Sequence, residues 1–359
     1  MLSELFITPE AKVRDALRQL EETEGKTLFV VTPDQTLFGT LTDGDVRRWI
    51  LSGGDLDGSV DRVCNTAPCV ASEADPAEHI RREMLSRNIN SIPVVGPDGK
   101  IKTVVTWSQL FADSPQKPAR PPITLPVVIM AGGRGTRLAP FTSVLPKPLI
   151  PLGDKTVIEL IVESFTCFGV SDFYLSVNYK SKIIKSYFDE LDPPYSVRYI
   201  YEDKPLGTAG SLRALSGHVT DDLIVTNCDV IIRADLHDLV AHHAKDGNDI
   251  TLVASLRNYS IPYGVCEIGE DGRLRRIMEK PEFNFLVNTG LYVLKPHVLE
   301  LIPDGELFHI TDLIEKCLVA GGRVGVFPIS DKAWIDTGEW AQYRSAVAEI
   351  TGERRRMPR

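Results

Sequence analysis

Residues 126–152 read PVVIMAGGRGTRLAPFTSVLPKPLIPL, and the fold is decided here. PVVIMA, residues 126–131, is a short apolar run and predicts a buried strand. The run empties into Ala131-Gly132-Gly133-Arg134-Gly135-Thr136-Arg137. Without Cβ atoms, the glycines let backbone N–H groups approach phosphate oxygens. A helical turn after them adds the positive end of a dipole. Arg137 is able to hold two oxygens at once, and Lys147 adds a compact charge. The spacing contains no G-x-x-x-x-G-K-[ST], and Leu138 stands where a dinucleotide fingerprint needs its third glycine. A glycine-rich turn with an incidental salt bridge is the rival reading. Thr136-Arg137-Leu138 followed by Pro146-Lys147-Pro148 weighs against that rival.

Downstream, strand-like and helix-like runs alternate. VIELIVESFTCFG reads as an amphipathic helix stopped at Gly169, followed by DFYLSVN and YSVRYIYE as strands, TAGSLRAL as a short helix and DLIVTNCD as a strand ending in an acid. ITLVASLR and LVNTGLYVL are further strands, with an Asp271-Gly272 hairpin turn between them. ITDLIEKCLVAGG is a late helix ended by Gly321-Gly322. The alternation predicts an α/β, Rossmann-like domain with a mostly parallel mixed sheet.

Upstream, ADSPQKPARPPITLP carries prolines at 115, 118, 121, 122 and 126, a density that neither helix nor ladder tolerates. A linker is expected at 113–125, between a smaller α+β module at 1–112 and the main domain at 126–359. A proline-rich ligand for another protein is the alternative. The smaller module repeats itself: Val30-Val31-Thr32-Pro33-Asp34 is echoed by Val94-Val95-Gly96-Pro97-Asp98. Each copy reads helix, strand, turn, strand, helix. The first helix has Val13, Ala16, Leu17 and Leu20 on one stripe, with Thr8-Pro9 as its start signal, and the second follows Asp75-Pro76 with Ile80, Met84 and Leu85. Such a unit must bury its open face against its twin.

The chain has 359 residues, a formal net charge of -9 and 43% hydrophobic residues. That composition excludes bulk disorder and coiled coil, and the acidity argues against nucleic-acid binding. No apolar run reaches the length of a membrane span, and the N-terminus lacks a signal-peptide pattern, so a cytoplasmic protein is expected. The six scattered cysteines are expected to be reduced. Arg354, Arg355, Arg356 and Arg359 read as a solvated basic tail.

Two resemblances rest on these residues. Gly39-Thr40-Leu41-Thr42-Asp43-Gly44-Asp45 and the MLSRNINSIPVV run resemble a pair of CBS motifs. The resemblance implies that Thr42 and Asp45 hold the ribose of a purine nucleotide, with Arg47 and Arg48 near its phosphate. It also implies a homo-oligomer. The second copy has Gln109 where the acid belongs, so at most one strong site is expected. A purely dimerising role is the alternative. The 126–152 stretch resembles the signature of sugar-1-phosphate nucleotidyltransferases, G-G-x-G-T-R-L-x-P-x-T followed by P-K-P. Further stretches match that family in order. Glu202-Asp203-Lys204-Pro205-Leu206-Gly207-Thr208-Ala209-Gly210 matches its base and ribose loop. Asn227-Cys228-Asp229 matches its metal aspartate, although Cys228 stands where a small residue is usual. Tyr263-Gly264, Glu279-Lys280-Pro281 and Asn288-Thr289-Gly290 match its sugar contacts, and Trp334-Ile335-Asp336-Thr337-Gly338 matches its second metal aspartate.

What the resemblance implies is a nucleotidyl transfer from an NTP, expected to be GTP, to a sugar 1-phosphate, giving an NDP-sugar and pyrophosphate. Ala131, Gly132, Gly133, Gly135, Thr136, Glu202, Leu206, Gly207 and Thr208 would bind the nucleotide. Gly264, Glu279, Asn288 and Thr289 would bind the sugar. Asp229 and Asp336 would hold Mg2+, which accepts few protein oxygens and several waters. Arg137 would grip the departing phosphates, Lys147 the α-phosphate and Lys280 the attacking phosphate. That nucleophile is already ionised near neutral pH, so no general base is required. For Glu279, a plain salt bridge to Lys280 is a rival. Uridylyl- and cytidylyltransferases share most of these residues. From other classes, a non-catalytic nucleotide-sugar sensor and a regulatory scaffold remain.

Overall fold

A computed structural model describes residues 2–23, 27–87, 89, 91–106, 120–269, 271–329 and 333–350. Gln109, the first half of the expected linker, the Leu85 side chain and the arginine tail lie outside the described residues. The chain divides into two compact units, Met1–Arg120 and Pro121–Arg359.

The repeat of the first unit is visible strand for strand. Phe6–Ile7, Thr27–Val31 and Leu37–Thr42 form one three-stranded sheet, and Ala71–Ser72, Ser91–Val95 and Ile101–Thr106 form the other, in the same order. Thr27 pairs with Thr42 as Ser91 pairs with Thr106, and both hairpins shift register at the same place, Val30/Val31 and Val94/Val95. Thr36 bridges Lys100, and Leu37 N–H donates to the Gly99 carbonyl at 3.0 Å. Thr36 and Lys100 occupy equivalent places in the two copies, as an approximate two-fold axis between them requires. The first helix begins at Val13, later than Thr8-Pro9 predicts. The N–H groups of Val13 and Arg14 donate to the carbonyls of Gly58 and Leu56, so a tertiary contact sets the helix start. Val13, Ala16 and Leu20 are buried as the stripe predicts, while Leu17 is only partly covered.

The second unit is built on a seven-stranded sheet in the order 196–201, 172–177, 127–130, 223–227, 282–294, 250–260 and 324–329. Its pairings are parallel except for the two made by Glu282–Leu294, so the mostly parallel expectation holds. Val127–Met130 is central and buried throughout, and its side chains alternate between two cores: Val127 and Ile129 on one face, Val128 and Met130 on the other. Helix Val157–Thr166 covers the first face and starts in a capping box between Thr156 and Glu159. Gly169 ends it at φ +86, where a Cβ would lie 2.5 Å from Pro122. TAGSLRAL forms a 3-10 turn, Gly210–Leu215, rather than an α-helix. Gly272, at φ +75, turns the hairpin of Val265–Ile268 and Leu274–Met278 as predicted. All six cysteines are free. Among the described residues, no helix is long and apolar enough to cross a membrane.

Candidate active site

Four parallel strands deliver their C-terminal ends to one edge of this sheet: Val127–Met130 into the glycine loop, Asp172–Val177 into Asn178, Ser196–Tyr201 into Glu202 and Leu223–Asn227 into Asp229. That edge is where open parallel sheets expose loops and backbone groups to ligands.

The glycine loop is shaped by what lies behind it. Gly135 sits at φ +63, and a Cβ there would lie 2.9 Å from Thr142 Cγ2 and 3.0 Å from Lys147 Cβ. The P-K-P segment therefore packs directly under the loop. A Cβ on Gly132 would lie 2.7 Å from Glu202 Oε1, whereas Gly133 faces open space. Thr136 and Arg137 are exposed. Ala131 behaves differently from its neighbours: it is buried and its N–H is spent on the Ser176 carbonyl at 2.8 Å, so it anchors the loop.

Asp229 and Asp336 are brought together by a ladder too short to predict. Val230–Ile232 pairs antiparallel with Trp334–Asp336, Val230 lying opposite Asp336. Thr337 locks the junction, donating to the Asp229 carbonyl from its N–H at 2.9 Å and from its hydroxyl at 3.0 Å. Lys147 Nζ donates to Asp229 Oδ2 at 2.5 Å, and Gly338 N–H donates to Asp336 Oδ1 at 2.7 Å. A Cβ on Gly338 would lie 2.9 Å from Asp336 Oδ1, 3.1 Å from Asp229 Oδ2 and 3.5 Å from Lys147 Nζ. Two carboxylates and an ammonium thus converge over one glycine. Burial pushes the Asp336 carboxyl above its ordinary range, and the Asp229 carboxylate pushes it the same way. Among the described residues, no preformed cage of three or more ligating side chains exists. Two hard oxygen donors alone suit an ion that keeps most of its waters, as Mg2+ does. Arg137 extends over this pair from the surface, its Nη1 3.2 Å from Glu339 Oε1.

The 202–210 segment is tied down at both ends. Glu202 is 8% exposed, and its carboxylate accepts from the Ser176 hydroxyl and from Leu206 N–H at 3.1 Å. Ser176 and Ser211 hydroxyls are 2.8 Å apart, so Ser211 is able to donate to Ser176 while Ser176 donates to Glu202. Gly207, at φ +81, lets the chain pass Phe308, whose carbonyl would be 2.5 Å from a Cβ there. Thr208 Oγ1 accepts from Ile310 N–H at 3.0 Å, at the start of helix Ile310–Val319.

Among the residues expected to contact the sugar, Glu279 Oε2 would lie 3.1 Å from a Cβ on Gly264, so the Tyr263-Gly264 and Glu279-Lys280 segments meet. Lys280 is exposed at φ +45. Asn288 is exposed and donates to the Tyr292 hydroxyl at 2.8 Å. Thr289, expected at the sugar, is 2% exposed, and its hydroxyl donates to the Val253 carbonyl at 2.8 Å. Adjacent strand residues face opposite ways, so only one of the pair is able to face out.

Sequence reasoning missed Ser176, Ser211, Glu339 and Trp340. Trp340 Nε1 donates to the Ala139 carbonyl at 3.1 Å, and its ring lies 5.1 Å from that of Phe141, bracing the signature segment. The strand pattern gave little signal, because Ser176 shares its face with Asp172 and Tyr174, opposite the apolar Phe173, Leu175 and Val177.

In the first unit, the expected ribose-binding pair is turned on itself. Thr42 Oγ1 donates to Asp45 Oδ2 at 2.6 Å, and Asp45 N–H donates back to Thr42 Oγ1 at 3.4 Å, a capping box for helix Asp43–Leu51. Arg47 pairs with Asp43 at 2.6 Å and is not among the residues that line the nearby groove. That groove, about 540 Å³, is lined by Asp45, Arg48, Trp49, Arg62 and Asn65 among others.

The family model described as nucleotidyl transferase matches residues 126–353, and the CBS domain model matches residues 1–52 and 60–112. A mannose-1-phosphate guanyltransferase of Pichia angusta is 36% identical over 184 residues, 49% of this chain and 50% of that protein. The chain thus spans about half the length of this curated relative. The crystal structure of HddC from Yersinia pseudotuberculosis superposes with a TM-score of 0.51 at 26% identity, over 63% of this chain and 100% of that one. The same protein complexed with GMP-PN gives a TM-score of 0.50 at 25% identity, with the same coverage.

Proposed function

The chain belongs to the nucleotidyl transferase family, and from that premise we propose that it transfers a guanylyl group from GTP to a sugar 1-phosphate, releasing pyrophosphate and a GDP-sugar. The observation that carries this reading is the convergence of Lys147, Asp229 and Asp336 over Gly338, beside the glycine loop. The guanyltransferase relative and the HddC complex with GMP-PN favour guanine over pyrimidines.

In this reading, backbone groups of Gly132, Gly133, Gly135 and Thr136 cradle the triphosphate. Arg137 leaves Glu339 for the departing phosphates; an exposed pair of that kind is worth at most about 1 kcal/mol, so the exchange is easy. Lys147 leaves Asp229 for the α-phosphate, and Lys280 aims the sugar phosphate in line. Asp229 and Asp336 would hold Mg2+, which spreads negative charge when bound. Guanine offers N1–H and N2–H donors, and Glu202 with the backbone around Leu206 and Gly207 supplies acceptors that complement them.

Arg48 and Arg62, together in the groove of the first unit, support purine nucleotide binding there as a regulatory input. The deciding experiment is a matrix of GTP, ATP, UTP and CTP against several sugar 1-phosphates, read by pyrophosphate release. GTP-dependent release with at least one sugar phosphate is expected. Release with a pyrimidine nucleotide alone would overturn the guanylyl reading and keep the reaction class. No release from any pair would favour the sensor.

A further inference from the structure

Arg257 belongs to none of the matched motifs. It lies on strand Ile250–Ser260, opposite Phe285, and its guanidinium carbon is 4.6 Å from the centroid of the Trp334 ring. Trp334 and Asp336 are two residues apart on a short strand whose middle residue, Ile335, is buried. The two flanking side chains therefore share the other face. The Arg257–Trp334 stack begins on the face that carries the Asp336 carboxylate.

Three features of this stack point to a ligand. Arg257 is half-buried, and among the described residues no carboxylate pairs with it. The Trp334 indole N–H is enclosed without an acceptor. A guanidinium carbon over an aromatic ring still leaves N–H groups at its edge able to donate. Donors without acceptors, half out of water, are stabilised by a partner rich in oxygen. The phosphates already have their cations in Arg137, Lys147 and Lys280. The body of the acceptor sugar has Glu279 and Asn288 as candidate contacts but no cationic donor for its hydroxyl oxygens.

We propose that Arg257, braced on Trp334, is a specificity residue that donates hydrogen bonds to hydroxyl oxygens of the acceptor sugar, on the side away from its 1-phosphate. This rests on the transferase reading above and adds a determinant for the sugar to it. It predicts selection among sugar 1-phosphates by the position and orientation of a hydroxyl, with no effect on the nucleotide.

The test uses the full chain, GTP, the sugar 1-phosphate it turns over best, and the mono-deoxy analogues of that sugar. Arg257→Met keeps the aliphatic stem and the stack but removes the donors; Arg257→Lys restores a charge and part of the bonding. In Arg257→Met, KM for the sugar phosphate should rise by about tenfold, the scale of one lost hydrogen bond in a bound complex, with KM for GTP unchanged. Arg257→Lys should recover part of the loss. One deoxy analogue should cost the parent enzyme a similar factor and cost Arg257→Met nothing further. Equal shifts in both KM values, losses that add for every deoxy analogue, or an unchanged KM in a folded variant would each overturn the proposal while leaving the transferase reading intact. A parent chain inactive on every substrate pair would overturn both.

Discussion

Asp45 in the first unit and Asp229 in the second sit at comparable places, each just past the end of a strand. Their surroundings differ. Asp45 finds its partners within three residues, in the Thr42 hydroxyl and N–H and the Arg48 guanidinium. Asp229 is bonded by Lys147 from far upstream and stands beside Asp336, which the Trp334–Asp336 strand brings from far downstream. A carboxylate satisfied by its own turn serves the helix that follows. Two carboxylates assembled from distant segments repel each other; Lys147 offsets part of that cost, and a bound cation would offset more.

Substitution at the remote pair should produce the largest effect and put this contrast at most risk. Asp229→Asn or Asp336→Asn is expected to lower kcat by at least about a hundredfold, the scale of losing one preorganised electrostatic group. The melting temperature should hold or rise in Asp336→Asn, where a repulsion is removed, whereas Asp229→Asn also takes the charged partner from Lys147 and should lower it somewhat. Turnover within a few-fold of the parent at saturating Mg2+ would show that the pair is no metal site. Next in size is the base. GTP is expected to exceed UTP, CTP and dTTP in kcat/KM by about tenfold or more, since an unmet buried hydrogen-bonding group costs about 1–3 kcal/mol. Competition kinetics with mixed nucleotides would measure it.

At the local pair, Asp45→Ala should cost about 1 kcal/mol of stability, the usual worth of a helix cap, and leave unregulated turnover within twofold. Chemical denaturation followed by a probe in the first unit would read it. A collapse of basal turnover would erase the distinction between the two carboxylates. The smallest effect is expected at the opposite edge of the main sheet. There His243 is 1% exposed, its Nδ1 lies 2.7 Å from Thr251 Oγ1, and burial lowers its pKa. The unfolded chain therefore binds a proton more readily than the folded one. The stabilisation is fully present above the unfolded value of about 6.5 and is lost as pH falls through the lower folded value. Melting curves between neutral pH and pH 5 should slope less steeply in His243→Gln.

The glycine loop, the central strand and the repeat offset were legible because each is written in contiguous residues. Val127–Met130 needs no partner to be recognised, and the second hairpin of the repeat follows the first at a constant offset. The Val230–Ile232 ladder was not legible, because three residues carry no period and the pairing is non-local. The same limit hid Glu202's internal partners: Ser176 and Ser211 are ordinary serines until the sheet sets them beside a carboxylate. Thr42 and Asp45 were legible in two ways. A hydroxyl and an acid three residues apart suit a ribose and suit a capping box equally, and the backbone chooses the nearer partner.

The strand carrying Asp336 has a consequence for timing. Thr337 reaches back to Asp229 across 108 residues of chain. During synthesis the glycine loop and the first aspartate emerge well before the segment that completes the site. Contacts of such long sequence separation also form late in folding, because loop closure must precede them. A nascent chain is thus able to assemble its central sheet while still chemically silent, and competence arrives in one step, when a three-residue strand docks.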